Sequence, residues 1–181
     1  MVTAFTARRS LTDDVREIDE FFAVLVAGID PDSVPLNEAT ELWAALDVIE
    51  RRAGAVKVLL ARRVEEAGRW KRAGCRSAAE HLALMAGSSV TAARSQLETS
   101  RRLRHRPATA AALRAGKLSV AKAEAIAAAA SVDPDAEASL LDGAEGVPLA
   151  EVRERCLRAR AKDRDRAHAR IRKDPGMGPD P

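Results

Sequence analysis

Aromatic side chains are nearly missing from this chain: its 181 residues include no Tyr, two Trp and three Phe, although 46% are apolar. Any core must therefore be assembled from Leu, Val, Ile and Ala. Such side chains suit close helix packing better than a sheet, which favours β-branched and aromatic residues. The composition predicts an all-α fold, at a length that makes one compact domain or two small ones.

Helix punctuation divides the chain in the same sense. Ser10, with Asp13 three residues on, opens a segment through Ile18, Phe21, Phe22, Leu25 and Val26 that stops at Gly28, and IDPDSVP then reads as a turn-rich linker. Residues 1–30 are thus expected to hold an N-terminal helix and residues 37–173 a helical domain. Asn37 is a candidate cap for a long helix from Glu38 to about Ala67. Along it Leu42, Leu46, Ile49, Ala53, Val56, Leu60 and Val64 recur at spacings of four and three. That stripe needs a partner, either the other helices of the chain or a second copy in a homodimer.

Beyond Gly68, RWKRAGCR reads as an exposed basic link, and SAAE, Ser77 to Glu80, as a capping box. The helix it opens carries Leu82, Leu84 and Met85 and ends at Gly87. Ser88 or Ser89 starts the next, with Val90, Ala93, Leu97 and Leu103 facing inward. Pro107 suits a first helical position, Gly116 a C-terminal cap and Ser119 another N-cap, giving helices PATAAALRA and VAKAEAIAAAA. Asp133 with Pro134, and then Pro148, begin two more. The end, residues 174–181, reads as a disordered tail.

Charge is unevenly spread. Residues 1–60 hold six Lys/Arg against eleven Asp/Glu, a balance of −5, and residues 61–181 hold 24 against 16, a balance of +8. A basic part of this kind points to an acidic partner, most often nucleic acid. Cys75 and Cys156 form no metal-like pair, and two unclustered thiols without a signal peptide lead us to expect the reducing cytoplasm. FFAVLVAGI, at nine residues, is far short of a membrane span, so no membrane partner is expected.

The pair of helices from Ser77 to Leu103 is the main candidate for function. Ala83, Gly87, Val90 and Ala93 meet the demands of a helix-turn-helix-like pair, with a small residue at the crossing and a glycine in the turn. Ser88, Ser89, Thr91 and Arg94 would then begin a helix that reads duplex DNA, with Arg101, Arg102, Arg104 and Arg106 of RRLRHR near the phosphates. The competing reading is an ordinary helical hairpin whose basic end suits the helix dipole. From Glu151 to Lys173, ten Lys/Arg alternate with four acids, either a solvated helix with pairs such as Glu151 and Arg155 or a basic arm on nucleic acid.

Chemistry is not indicated. His81, His105 and His168 show no HxxxH or HExxH spacing, and there is no Gly-rich phosphate loop and no Cys/His set for zinc. Asp13 with Asp14, and Asp163 with Asp165, are explained by helix ends and interleaved arginines. The expectation is a non-enzyme with no cofactor and no metal.

Three stretches, GCRSAAEHLALMAG, ARSQLETSRRLRHRPATAAALRAGKLSVAKAEAIAAA and LLDGAEGVPLAEVRERCLRARAKDRDRAHARIRKD, taken in order, resemble the domain of unknown function 222, or 13E12 repeat family, abundant in actinobacteria. The likeness spans roughly residues 37–174. In that family the helical region is usually followed by an HNH endonuclease domain, so the resemblance implies a DNA-directed, nuclease-associated setting. Two positions depart from the pattern: Lys122 stands where the family often has His, and RHRP replaces a more usual apolar residue before Pro107. No HNH motif occurs up to Pro181, so the expected member lacks the nuclease. Two functions follow. One is a non-catalytic DNA-binding or DNA-targeting module using Ser88, Ser89, Thr91, Arg94, Arg101, Arg102, Arg104 and Arg106. The other is a helical protein-interaction or dimerisation module using Leu42, Leu46, Ile49, Val56, Leu60 and Val64.

Overall fold

A computed structural model describes residues 10–173 of the chain, with side chains described through Arg164. The expected tail at 174–181 lies outside the described residues. Among those described the protein is all-α, with no strand. The helices are α1 (Leu11–Gly28), α2 (Leu36–Glu66), α3 (Arg69–Arg72), α4 (Ala78–Ala86), α5 (Val90–Leu103), α6 (Pro107–Arg114), α7 (Val120–Ala130), α8 (Glu137–Leu141) and α9 (Leu149–Lys173). Short 3₁₀ turns at Pro31–Ser33 and Pro134–Ala136 precede α2 and α8.

The chain divides into two compact units between Ala44 and Ala45, within α2. In the first, Ser10 caps α1 by accepting a hydrogen bond from the Thr12 N–H at 3.1 Å. Helix α2 begins one residue before Asn37. The Pro35 carbonyl accepts its first bonds, from the N–H groups of Glu38 and Ala39, so Asn37 lies in the first turn and is not the cap. No described residue of this unit is buried.

In the second unit α7 is the hub, packing on α5, α6, α8 and α9. It can touch so many neighbours because its inward positions are small: Ala123, Ile126, Ala127, Ala129 and Ala130 are buried. Around it lie Leu103, Leu113, Leu118, Leu140 and Val152, with Ala55 and Val58 from α2. Helix α2 comes close here, since a Cβ placed on Gly54 would stand 3.1 Å from Val120 Cγ2.

The inward face of α2 is not the leucine stripe. Ala55, Val58 and Ala61 are buried, whereas Leu42, Ile49, Val56 and Leu60 are exposed and Leu46 and Val64 half-buried. The reason is helix proximity. Close-packed helices need small residues at the contact, and the larger side chains of the heptad pattern are turned aside.

Polar contacts pin the alanine-lined elements where dispersion alone would leave them free to slide. Glu137 of α8 accepts from both the Thr109 N–H, at 2.9 Å, and its hydroxyl, at 2.7 Å, so a carboxylate caps the start of α6. Thr109 is fully buried. Replacing Glu137 by Ala is therefore expected to leave two buried donors unpaired and to lower stability by about 1–3 kcal/mol. Glu137→Gln, which retains an acceptor oxygen, should lose less; thermal denaturation of the two variants measures the difference. Lys122 holds the loop after α8 through its ammonium, which donates to the carbonyls of Ala144 (2.9 Å) and Glu145 (3.1 Å).

Candidate nucleic-acid interface

One end of the second unit is organised around a small alanine core of Ala61, Ala78, Ala79, Ala83, Ala93 and Leu97, with Trp70 and Leu82 packed against it. Leu84 and Met85 of α4 point outward. The basic link is not extended chain: it contains the single turn α3, entered through Gly68 in the left-handed region. Trp70 anchors it to the core, and the Lys71 ammonium sits 5.4 Å from the centre of the Trp70 ring. The Cys75 N–H bonds the Trp70 carbonyl and closes the turn.

Ser77 caps α4 by accepting from the Glu80 N–H at 3.1 Å, and the Glu80 carboxylate accepts in return from the Arg76 N–H at 2.6 Å. The return bond thus reaches one residue beyond the usual capping box. Helix α4 ends at Gly87, whose φ of 58° is left-handed, and the Ser88 N–H bonds the Ala83 carbonyl. Residues 87–89 alone separate α4 from α5. Ser89 is the cap, its hydroxyl accepting from the Ala92 N–H at 3.1 Å, while Ser88, Thr91 and Arg94 are exposed.

The stretch that builds this core is cationic. Between Ala67 and Leu97 stand Arg69, Lys71, Arg72, Arg76 and Arg94 against one acid, Glu80, whose carboxylate is occupied as a cap. All five cations are exposed, and among the described residues none has an ion pair.

The run RRLRHR divides in two. Arg101 donates from Nη2 to both oxygens of Glu65, each at 2.8 Å, and from Nη1 to Glu98 at 3.3 Å. The bond to Glu65 raises the guanidinium pKa above its ordinary value, with Glu98 adding to it against the effect of burial. Arg102 pairs with Glu98 at 3.1 Å. Arg104 is exposed without an ion pair, and the half-buried Arg106, just before α6, has a buried Nε with no hydrogen-bond partner. Ser88, Ser89, Thr91 and Arg94 thus lie exposed at the start of α5, whereas Arg101 and Arg102, toward its other end, are paired with neighbouring carboxylates.

Helix α9 continues through Lys173 as one helix, with Arg155–Glu151 (2.5 Å) and Arg158–Glu154 (2.6 Å) pairs one turn apart. Beside it lies an open groove of about 580 Å³ whose lining includes Arg102, Val132, Leu157, Arg160 and Arg164 and no carboxylate. Burial pushes the Cys156 thiol of α9 up, against a smaller opposing effect of Arg160. Cys75 Sγ and His81 Nδ1 approach to 3.9 Å, a contact that residue spacing did not indicate. Among the described residues no group of three or more His, Cys, Asp or Glu is placed to hold a metal, and no helix is long and apolar enough to cross a membrane.

The described residues define an all-helical fold with an alanine-rich core and a run of exposed cations from α3 to the start of α5. The family model described as "Domain of unknown function (DUF222)" matches residues 40–178, and the chain belongs to that family. No curated protein and no solved structure matches it significantly.

Proposed function

We propose that this protein is a non-catalytic, DNA-binding or DNA-targeting module whose contact surface is the α3 segment together with the start of α5. The observation that carries this reading is the set of five exposed cations, Arg69, Lys71, Arg72, Arg76 and Arg94, without ion pairs around one small core. Cations on a protein surface that are not matched by carboxylates are what a phosphate backbone recruits, through release of its counterions. Thr91 and Arg94, at the exposed start of α5, are of the types that bond base edges, and Ser88 can reach a phosphate. Arg104 and Arg106 follow the other end of α5 and are assigned no part of this surface. Arg101 and Arg102 contribute less, because Glu65 and Glu98 already neutralise them. The likeness to a family whose helical region usually precedes an HNH domain supports a DNA-directed setting.

The test is an anisotropy titration of labelled duplex DNA with the whole chain at several salt concentrations. Affinity that falls steeply as salt rises is expected; no binding at low salt would refute the proposal.

Hydrolysis is assigned to no residue of this chain. A metal-dependent nuclease needs an ion-held water and a general base, and among the described residues no group of three or more His, Cys, Asp or Glu could hold such an ion. Supercoiled plasmid incubated with the protein and Mg²⁺, Mn²⁺ or Zn²⁺ should stay supercoiled. Nicking that follows the protein through repurification would contradict this.

A further inference from the structure

Helix α9 divides its cations between two faces. Arg155 and Arg158 pair with Glu151 and Glu154, and with Lys162 they line a hollow that also holds Asp133 and Asp135. Opposite them, Arg153, Leu157, Arg160 and Arg164 follow at steps of four, three and four, which sets them along one stripe. All four are exposed, and among the described residues none of the three guanidinium groups has an ion pair or a hydrogen bond.

Arg160 and Arg164 stand one turn apart, a like-charge spacing that disfavours a helix. No described carboxylate pairs with either to offset it. The groove of about 580 Å³ beside them takes its apolar lining from Ala128, Val132, Leu157 and Ala161, and a smaller hollow of about 190 Å³ shares Leu157 and Arg160 and adds Arg153. Among the described residues no carboxylate lines either one. Within this lining Val132 is 51% exposed and Leu157 63%. Arg102 also lines the groove but is paired with Glu98, so the unmatched charge is that of α9.

We propose that this groove binds an acidic peptide segment of a partner protein, one that carries an apolar side chain among its carboxylates. Charge complementarity selects an anionic occupant, and every cation of the stripe is Arg, whose planar fork pairs with a carboxylate through two parallel hydrogen bonds. The apolar lining selects a peptide over a nucleic acid. A phosphate backbone would satisfy the arginines but would set a polar chain against Val132 and Leu157, whereas a leucine or phenylalanine of a peptide removes both from water. None of these residues belongs to the DNA surface proposed on α3 and the start of α5, and the two readings stand independently.

The test is fluorescence anisotropy of the whole chain against a panel of labelled peptides of about 12 residues, the length of helix that matches the roughly 17 Å from Arg153 to Arg164 along α9. Each peptide sets Glu and Asp around one or two Leu, Ile or Phe. At least one should bind, more weakly as salt rises, and its counterpart with the apolar residues changed to Ser should bind about tenfold more weakly. A panel in which none binds, or in which the Ser counterparts bind equally well, would overturn the proposal. Arg160→Gln combined with Arg164→Gln, and separately Leu157→Ser, change exposed positions only. Each should weaken peptide binding by about tenfold or more and leave the thermal unfolding and the affinity for duplex DNA unchanged. Peptide binding retained in either variant would refute the site, and duplex binding lost with the two arginines would make the groove a nucleic-acid surface instead.

Discussion

Val58→Asp is expected to unfold the second unit, and Val56→Asp, two residues away on the same helix, to leave it folded. Val58 is 1% exposed in the core beneath α7, and Val56 is 52% exposed. A carboxylate at position 58 would enter a buried cluster of almost wholly apolar side chains that contains no cation. It would have to ionise unpaired or take up a proton, and either route costs several kcal/mol, a large part of the stability of a domain this size. At position 56 the same group stays in water and should cost under about 1 kcal/mol. Circular dichroism during thermal denaturation separates the two. Loss of structure in the Val56 variant with the Val58 variant intact would mean that α2 is rotated about its axis, with the heptad stripe inward; equal loss in both would contradict the difference in burial.

The contrast also shows where sequence patterning reaches its limit. Element boundaries were legible because they depend on neighbouring residues alone. Ser10, Ser77, Ser89 and Ser119 cap the helices that follow them, and Pro107 occupies a first turn. The buried faces were harder to read, since a pattern of large apolar residues ranks Leu42, Leu60, Leu84 and Met85 above their alanine neighbours. In this protein the helices approach so closely that alanine takes the contact and the larger side chains are left outside. Helix α3 is too short, at four residues, to show any period. The candidate surface was half legible. The basic character of Arg69–Arg76 and the exposed start of α5 follow from composition and caps. The occupation of Arg101 by Glu65, 36 residues earlier in the chain, depends on how α2 and α5 pack.

That occupation sets the second large effect. Replacing Arg69, Lys71, Arg72, Arg76 and Arg94 by Gln should all but abolish duplex binding at moderate salt. Each phosphate contact contributes about 0.9 to the slope of log affinity against log salt, so five contacts account for about 4.5 of it. Their loss amounts to several hundredfold in the change of affinity between about 50 and 200 mM salt. The fold should be retained, because all five side chains are exposed and no ion pair is lost, the contact of Lys71 with the Trp70 ring costing at most about 1 kcal/mol. Replacing Arg101 and Arg102 by Gln should act in the opposite sense. The contacts to Glu65 and Glu98 go, with a modest fall in melting temperature, and the salt slope changes little.

The salt slope of duplex binding, measured side by side for the wild-type chain, the five-residue variant and the Arg101/Arg102 variant, tests the proposed surface most directly. The expected result is a slope reduced by about 4.5 in the five-residue variant and nearly unchanged in the other. A wild-type slope retained by the five-residue variant, or lost on replacing Arg101 and Arg102, would contradict the assignment of the DNA surface to α3 and the start of α5.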